Sequence, residues 1–386
     1  MKYKMLRFLD AGESHGPSLS GIIEGFPAGV NINIEEINND LRRRQGGYGR
    51  GKRMKIESDS IDILSGLINE KTIGSPISLV IKNKDWENWK DKKIRPQTIP
   101  RPGHVDYAGS IKYGFQDLRN TLERSSARNT AMRVAIGSFA KQLLREFNIK
   151  IFSYVTGIGS KSIKKYSDNN EQIESMIYDS PVYCPDKIAS VEMCKEIEVA
   201  GEEGDTLGGV FEVFVPYVPP GLGSYVFWDR RLDSRLASSI MSIPGVKALE
   251  IGDGIKSAKK RGSAVHDEIF SEGNSKNNIL QYYRKTNRAG GIEGGVTNGE
   301  PIVIKVYFKP IPTLLNPLNS IDFATKKEIR AGYQRSDICV VPAASVVGGS
   351  VAAWEIANAF LEKFSGDYLL EIKENYKNYK KRLQKL

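Results

Sequence analysis

The stretch TAMRVAIGSFAKQLLREF, residues 130–147, decides the class of fold. Its apolar residues recur every four positions along two neighbouring rows: Ala131, Ala135, Phe139, Leu143 and Phe147, with Met132, Ile136, Ala140 and Leu144. Residues four apart share one face of a helix, so a helix that is apolar on two rows has to be covered on most of its surface. The pattern predicts a long helix that is deeply buried against other elements.

The sequence also predicts further helices and strands elsewhere in the chain. Near the C-terminus, apolar residues at helical spacing lie opposite polar ones: Ala353, Ile356, Ala357, Phe360, Leu361 and Phe364 against Glu355, Asn358 and Glu362. A third helix is predicted over about residues 230–242, ended by Pro244 and Gly245. In PIVIKVYFK, residues 301–309, side chains alternate in the period of a half-buried strand. We predict an α/β (α+β) fold in which helices pack between β-sheets.

A weak internal repeat runs through the chain. SLSGIIEGFPAG (from Ser18) resembles TLGGVFEVFVPYVPPG (from Thr206), and GSPISLVIK (from Gly74) resembles GEPIVIKVYFK (from Gly299). A long Ala-rich helix follows in each half. We therefore predict one catalytic domain over residues 1–386, with pseudo-duplicated halves at about 1–150 and 200–365 and a basic helical tail at 366–386. Two repeats are too few for a solenoid.

Composition narrows the classes of protein. No run of 18 apolar residues and no signal-peptide core are present, so we expect a cytoplasmic protein without a membrane span. The three cysteines are scattered without metal-ligand spacing, so we expect free thiols and no metal site. The formal net charge of +10 is compatible with nucleic acid, anionic membranes or small acidic molecules as partners. Arginines cluster with glycine and serine, and their planar fork suits carboxylates and phosphates, which favours a small anionic ligand.

Two of the three histidines lie in short glycine-containing motifs. His15 lies in GESHG, and His104 follows Arg101 in RPGH, where an arginine could bind an anion while the imidazole exchanges a proton. A turn histidine that bonds its own loop is the alternative for each. His266 has the context of an ordinary surface or helix-cap residue.

Four further motifs carry cationic or hydroxyl side chains. In ERSSAR, Arg124 to Arg128 are predicted to lie at the start of the long buried helix, where free N–H groups favour an anion. RRRQGGYGRGKR, residues 42–53, reads as a flexible basic loop that could cover an anionic substrate, with an RNA-binding arm as the alternative. KPIPT, residues 309–313, follows a strand and suits a phosphate or a flavin edge. Asp337 beside Arg335 reads, taken alone, as a surface ion pair.

Together these segments resemble the chorismate synthase family. The similarity rests on GESHGPSLSGIIEGFPAG, RRRQGGYGRG, RPGHVDYAG, RSSAR, TAMRVA, GGIEGGVTNGEPI, KPIPT and RSD, which occur in this order from about Gly12 to Phe364. One departure is Asn129, where the family usually has Glu. Residues 160–203 carry no motif that matches the family.

The resemblance implies reduced FMN as cofactor and 5-enolpyruvylshikimate 3-phosphate as substrate, in a homotetramer. The implied reaction is a 1,4-elimination of phosphate without net redox change. The residues that match flavin-binding positions are Arg124, Ser125, Ser126, Ser238, Ser239, Gly294, Lys309, Pro310, Ile311, Pro312, Thr313 and Arg335. Those at substrate-side anion positions are Arg44, Arg50, Arg101 and Arg128, of which Arg44 and Arg50 also match positions for NADP.

Three residues receive catalytic roles by this resemblance. His15 would protonate the departing phosphate, His104 would maintain the protonation state of the reduced flavin, and Asp337 would assist removal of the ring hydrogen. Whether the protein reduces its own flavin or depends on a separate flavin reductase stays open. Rival functions are an RNA-binding protein and a flavin oxidoreductase that transfers a hydride.

Overall fold

The computed structural model describes residues 6–51, 58–92, 95–164, 172–271, 282–332 and 337–385. The α-helices in these residues are α1 (Ile34–Gln45), α2 (Asp106–Tyr113), α3 (Arg119–Ser125), α4 (Thr130–Arg145), α5 (Ile173–Asp179), α6 (Lys187–Glu202), α7 (Leu232–Met241), α8 (Gly254–Ser257), α9 (Val341–Phe364) and α10 (Leu369–Leu383). The strands are β1 (Arg7–Ala11), β2 (Ser18–Glu24), β3 (Asp62–Ile63), β4 (Leu67–Ile68), β5 (Lys71–Thr72), β6 (Ile77–Lys82), β7 (Phe152–Ile158), β8 (Lys161–Ser162), β9 (Gly209–Val215), β10 (Val246–Ile251), β11 (Ile269–Phe270), β12 (Tyr283–Arg284), β13 (Ile292–Glu293), β14 (Val296–Thr297), β15 (Ile302–Phe308), β16 (Asn319–Ile321) and β17 (Glu328–Arg330).

Two antiparallel sheets enclose the helical core. The first has the strand order β1-β2-β6-β3 and the second β10-β15-β9-β7-β8. Helix α4 packs against α9 and against β2, whereas α9 packs against β7 and β9 of the second sheet. The layers are therefore sheet, helices and sheet, which confirms the predicted fold class.

The predicted core helix α4 is buried along both of its apolar rows. Its contact with α9 is close because of a glycine: a Cβ on Gly137 would lie 2.4 Å from the carbonyl oxygen of Ser350. No side chain fits at that distance, so Gly137 lets the two helix backbones approach each other. In the second sheet, β15 buries Ile302, Ile304 and Val306, as its alternation predicts.

Helix α9 differs from the prediction. Its length and composition would suit a membrane span, yet it is enclosed within the molecule. Two of the three residues of the polar face, Glu355 and Asn358, are buried because they have partners inside the protein, whereas Glu362 is exposed. Glu355 is 4% exposed and accepts hydrogen bonds from Arg235 and Ser239. Asn358 is fully buried and bonds both backbone groups of Leu6.

The two predicted halves correspond to similar strand pairs. β2 pairs with β6 in the first sheet, and β9 pairs with β15 in the second. α1 and α4 belong to the first half, α7 and α9 to the second, and the four pack together. The division into pseudo-duplicated halves stays a prediction. The basic tail forms α10, which buries Leu369, Ile372 and Tyr376 beside α9 rather than lying wholly on the surface.

Candidate active site

His15 is held by a carboxylate from a distant helix. Its Nδ1 lies 2.8 Å from Oε1 of Glu123 on α3, and its backbone N–H donates to Oε2 of the same carboxylate, also at 2.8 Å. The imidazole packs against Trp89, with 4.0 Å between the ring centroids and 40° between the ring planes. Burial would raise the pKa of Glu123, but the hydrogen bonds from His15 outweigh it and lower that pKa. The histidine is therefore fixed by contacts outside its own loop.

His104 also pairs with a carboxylate, but it shares that partner with an arginine. Its Nδ1 lies 2.6 Å from Oδ1 of Asp106, the first residue of α2. Arg101 donates to the same carboxylate from Nε at 2.8 Å, and Nη2 of Arg101 lies 3.1 and 3.3 Å from the two nitrogens of His104. Burial would raise the pKa of Asp106, but its bonds to His104 and Arg101 hold it well below the usual value.

The ERSSAR motif does not start the long helix as predicted. Arg124 and Ser125 end α3, Ser126 caps a short 3₁₀ turn over residues 127–129, and α4 begins only at Thr130. The chain turns sharply at Ser126, which has extended backbone angles, so one helix cannot continue through the motif. The free N–H groups of a long helix therefore cannot explain an anion site at Arg124 or Ser125.

The same motif contacts the His15 loop. Ser14 donates its hydroxyl to Ser126 at 3.1 Å, and its backbone N–H donates to the carbonyl of Glu123. Arg124 pairs with Asp10 at 2.6 Å and donates to the carbonyl of Gly12. Both hydroxyl and guanidinium groups thus lie beside the loop that carries His15.

Two arginines predicted to bind substrate share a buried aspartate. Arg128 contacts both oxygens of Asp59, at 2.8 and 2.6 Å, and Arg44 lies 3.6 Å from the same carboxylate. Arg44 is the last arginine of α1 and is 7% exposed, with further bonds to Thr130 and Ala127. The sequence RRRQ is thus helical rather than part of a flexible loop, which corrects the prediction for residues 42–45.

Arg50 and Asp337 form an ion pair across 2.8 Å. The backbone N–H of Gly51 donates to the other oxygen of Asp337. Arg50 lies in the glycine-rich segment that follows α1, and its Nε is buried without a hydrogen-bond partner among the described residues. Arg335, and Lys52 and Arg53 at the end of the basic segment, lie outside the described residues.

The KPIPT segment follows β15, as predicted, and contacts the His104 loop. Lys309 donates to the carbonyl of Gly103, and Arg101 lies 3.4 Å from the hydroxyl of Thr313. Burial, together with the charge of Lys247, lowers the pKa of Lys309. No carboxylate among the described residues pairs with Lys309, so an anion bound there would meet an uncompensated cation.

These contacts, joined by short stretches of chain, close into a circuit. α2 and α3 are joined by the hydroxyls of Ser110 and Thr121, and the KPIPT segment is joined to the Asp337 segment through Thr206 and Leu207. The circuit runs through His15, Glu123, Thr121, Ser110, Asp106, Arg101, Thr313, Ile311, Thr206, Leu207, Ile338, Asp337, Arg50, Arg44, Asp59, Arg128, Ser126 and Ser14. Its links from Glu123 to Thr121, Ser110 to Asp106, Thr313 to Ile311, Thr206 to Leu207, Ile338 to Asp337, Arg50 to Arg44 and Ser14 to His15 run along the chain rather than through side-chain contacts. The sequence predicted nine of these residues as site residues: His15, Arg101, Thr313, Ile311, Asp337, Arg50, Arg44, Arg128 and Ser126.

Within the described residues, no hydrogen bond joins the predicted flavin positions Ser238, Ser239 and Gly294 to a residue of the circuit. Ser238 and Ser239 lie on α7, where Ser239 bonds Glu355 and accepts from Arg133 of α4. Gly294 occupies the tight turn between β13 and β14 with φ +61°, and a Cβ added there would lie 4.0 Å from the Cβ of Tyr225. The described residues contain no cluster of three or more metal-ligating side chains.

Sequence reasoning missed the carboxylates that organise the site. Glu123, Asp106 and Asp59 each hold a predicted histidine or arginine. The spacing of Asp106, two residues after His104, was a usable signal. Asp59 and Glu123 gave none, since their partners are distant in sequence. A separate cavity of about 410 Å³, lined by Asp40, Arg43, Lys141 and others, contains none of the predicted site residues.

The fold and site define a layered α+β protein in which two imidazole–carboxylate pairs and several cationic side chains are linked by hydrogen bonds, ion pairs and short stretches of chain. The sequence profile of the family described as Chorismate synthase matches residues 6–361. A protein named chorismate synthase from Alkaliphilus metalliredigens is 55% identical over 97% of this chain and 99% of that protein. One of the same name from Aquifex aeolicus is 51% identical over 98% of both chains.

A solved structure shows the same fold. The structure titled "Crystal Structure of Chorismate Synthase" superposes with a TM-score of 0.80 at 42% identity, over 99% of each chain. The chain therefore belongs to the chorismate synthase family, as its motifs indicated.

Proposed function

We propose that this protein is a carbon–oxygen lyase that converts 5-enolpyruvylshikimate 3-phosphate to chorismate, the last step of the shikimate pathway. Family membership supports the activity. The observation that carries the assignment to these residues is the circuit, because it links His15 to Arg44, Arg50, Arg101 and Arg128. His104 joins the circuit through its bonds to Asp106 and Arg101. Neither an RNA-binding role nor net hydride transfer has support in the comparisons.

The charges of the substrate match the charges of the circuit. The substrate carries two carboxylates and one phosphate, which guanidinium groups bind through paired hydrogen bonds. Arg101 and Arg128 are each fixed by a buried carboxylate, so their direction is set before a ligand arrives. Binding then costs little ordering of these long side chains. Arg44 serves this pre-organisation mainly by bracing Asp59, since its own donors already bond protein groups.

Reduced FMN fits the donors at the KPIPT end of the circuit. Lys309 is a partly buried cation that pairs with no carboxylate in the described part of the chain, and the hydroxyl of Thr313 lies beside Arg101. A phosphate or the polar edge of a flavin would offset that charge. We assign FMN binding to Arg124, Ser125, Ser126, Lys309–Thr313 and Arg335, with Ser238, Ser239 and Gly294 as outlying positions. When bound, the reduced flavin supplies electron density to the allylic system of the substrate.

The protein groups then handle the protons. His15 delivers a proton to the phosphate oxygen as the carbon–oxygen bond of the substrate breaks. The phosphate therefore leaves in a protonated form that is less basic than the unprotonated one. His104, between Asp106 and Arg101, sets the protonation of the flavin. Asp337 assists removal of the ring hydrogen. Because Asp337 is paired with Arg50, an anionic substrate that binds Arg50 competes for the guanidinium and makes the carboxylate available.

The test is an anaerobic assay of the purified protein with reduced FMN and 5-enolpyruvylshikimate 3-phosphate. Phosphate and chorismate should form in equal amounts, with no loss of reduced flavin. A parallel reaction with oxidised FMN should give no product. Absence of both products with reduced FMN and folded protein would exclude the proposed activity.

We further propose that the protein acts as a cytoplasmic homotetramer and receives reduced flavin from a separate reductase. The support for a separate reductase is Arg44: the family resemblance puts it at a nicotinamide-nucleotide position, and here its guanidinium is buried against Asp59 and Ala127. NADPH and FMN should therefore not support turnover without added reductase. Light scattering should give four times the 43.0 kDa of one chain.

A further inference from the structure

Glu123 contacts two of the three nitrogens of His15, the backbone nitrogen and Nδ1, but not Nε2. One carboxylate oxygen accepts the backbone N–H of His15 and the other lies 2.8 Å from Nδ1. No hydrogen bond to Nε2 occurs among the described residues. The geometry thus secures one edge of the imidazole and leaves the other available.

We infer that Glu123 is a positioning residue that keeps a proton on Nδ1 of His15 and confines proton exchange to Nε2. A carboxylate only accepts hydrogen bonds, so Nδ1 has to carry the hydrogen. Which nitrogen of a histidine is protonated is set by the bond that the other nitrogen makes. The inference rests on the proposed function of His15 as the acid that protonates phosphate.

The proton balance agrees with this arrangement. The imidazolium of His15 carries hydrogen on both nitrogens, and the Nε2 proton passes to the phosphate oxygen. The electron pair of the broken carbon–oxygen bond leaves with that oxygen. What remains is neutral imidazole with hydrogen on Nδ1, the form that Glu123 binds. The same carboxylate therefore serves the histidine before and after the transfer.

Other charged groups near His15 do not occupy this role. Glu13 lies in the same loop and is exposed, Arg119 on α3 acts on Glu123, and Asp85 accepts from the indole N–H of Trp89. The ammonium group of Lys92 lies 5.3 Å from the ring centroid of Trp89, the aromatic neighbour of His15. None of them bonds His15 among the described residues, which leaves Glu123 as the group that decides the tautomer.

Glu123→Gln gives a sharp test because an amide has one oxygen and one NH₂. The backbone N–H of His15 can only donate, so it takes the amide oxygen, and the NH₂ group then faces Nδ1. Nδ1 has to accept, which moves the proton to Nε2. The substitution should therefore move the hydrogen from Nδ1 to Nε2 rather than merely weaken the hydrogen bond to Nδ1.

The measurement is ring-¹⁵N NMR of histidine-labelled protein under conditions where the imidazoles are neutral. With three histidines in the chain, His104→Gln and His266→Gln assign the signals. We expect His15 with hydrogen on Nδ1 in the wild type and on Nε2 in Glu123→Gln. The exposed neighbour Glu13→Gln is the matched control and should keep the wild-type tautomer.

Kinetics supply the second readout. Glu123→Gln should lower kcat by at least about tenfold and leave KM nearly unchanged, since the lost function is proton delivery. A wild-type His15 with hydrogen on Nε2 would overturn the inference even if no variant folds. So would a folded Glu123→Gln protein with the wild-type tautomer. Lack of chorismate formation by the wild type would instead defeat the proposed function and leave the tautomer result standing.

Discussion

His15 and His104 are each paired with a carboxylate, but the groups around the two pairs differ. At His15, the carboxylate of Glu123 bonds only that residue in the described part of the chain, through its ring and its backbone N–H, and the imidazole packs against Trp89. At His104, Asp106 is shared with Arg101, whose guanidinium also lies against the imidazole. One histidine thus has a carboxylate to itself and an aromatic face. The other is part of a three-group charge cluster.

This difference separates proton delivery from charge organisation. A carboxylate with one partner fixes the tautomer of that partner and little else. A carboxylate with two partners links the position of an anion-binding arginine to that of a histidine. Changes at Glu123 should therefore affect turnover alone, whereas changes at Asp106 should affect both turnover and substrate binding.

The largest effects should come from removing the imidazoles. His15→Ala and His104→Ala should each lower kcat by about 10²-fold or more, the usual scale for a lost acid or base. Steady-state phosphate release under anaerobic conditions measures this, with His266→Ala as the control for an exposed histidine. Near-normal turnover in either site variant would remove that residue from the mechanism.

Asp106→Asn should have the next largest effect. Because both Arg101 and His104 lose a charged partner, kcat should fall and KM should rise, for a combined loss in kcat/KM of about 30-fold or more. Initial rates measured over a range of substrate concentrations give kcat and KM separately. An unchanged KM would show that Arg101 does not depend on Asp106, and the two regions would then be equivalent.

The same substitution should change how stability depends on pH. The folded pKa of Asp106 is lowered, so its charge stabilises the protein fully above the unfolded value of 3.8, and this stabilisation is lost as the pH falls further. At neutral pH, Asp106→Asn should cost about 1.5–3 kcal/mol, the scale of a hydrogen bond to a charged group. Urea unfolding at neutral pH and at about pH 3 should show the gap between wild type and variant narrowing. A gap that widens in acid would contradict the direction of the shift.

The smallest effect should come from Trp89, which has no counterpart beside His104. Trp89→Leu removes the aromatic face and should lower kcat about two- to tenfold, since such contacts contribute about 0.5–1.5 kcal/mol. Trp89→Phe keeps an aromatic ring and should lose less. Equal losses in both variants would indicate that volume, rather than the aromatic face, positions His15.

The elements were largely predictable because their patterns are local. The two rows of α4 and the alternation of β15 follow from residues a few positions apart. The carboxylate partners of the site residues were not predictable from the sequence, because Glu123 is 108 residues from His15 and Asp59 is 69 residues from Arg128. The same limit explains the error at Glu355, whose burial depends on Arg235 from another helix.

A crystal structure of the protein with FMN and 5-enolpyruvylshikimate 3-phosphate would test the central claim most directly. The two ligands should lie in contact within the circuit, with Nε2 of His15 in hydrogen-bond reach of the substrate phosphate and the Arg101–His104 loop touching the flavin or the substrate. Ligands bound in a place that reaches only one of the two histidines would contradict the account.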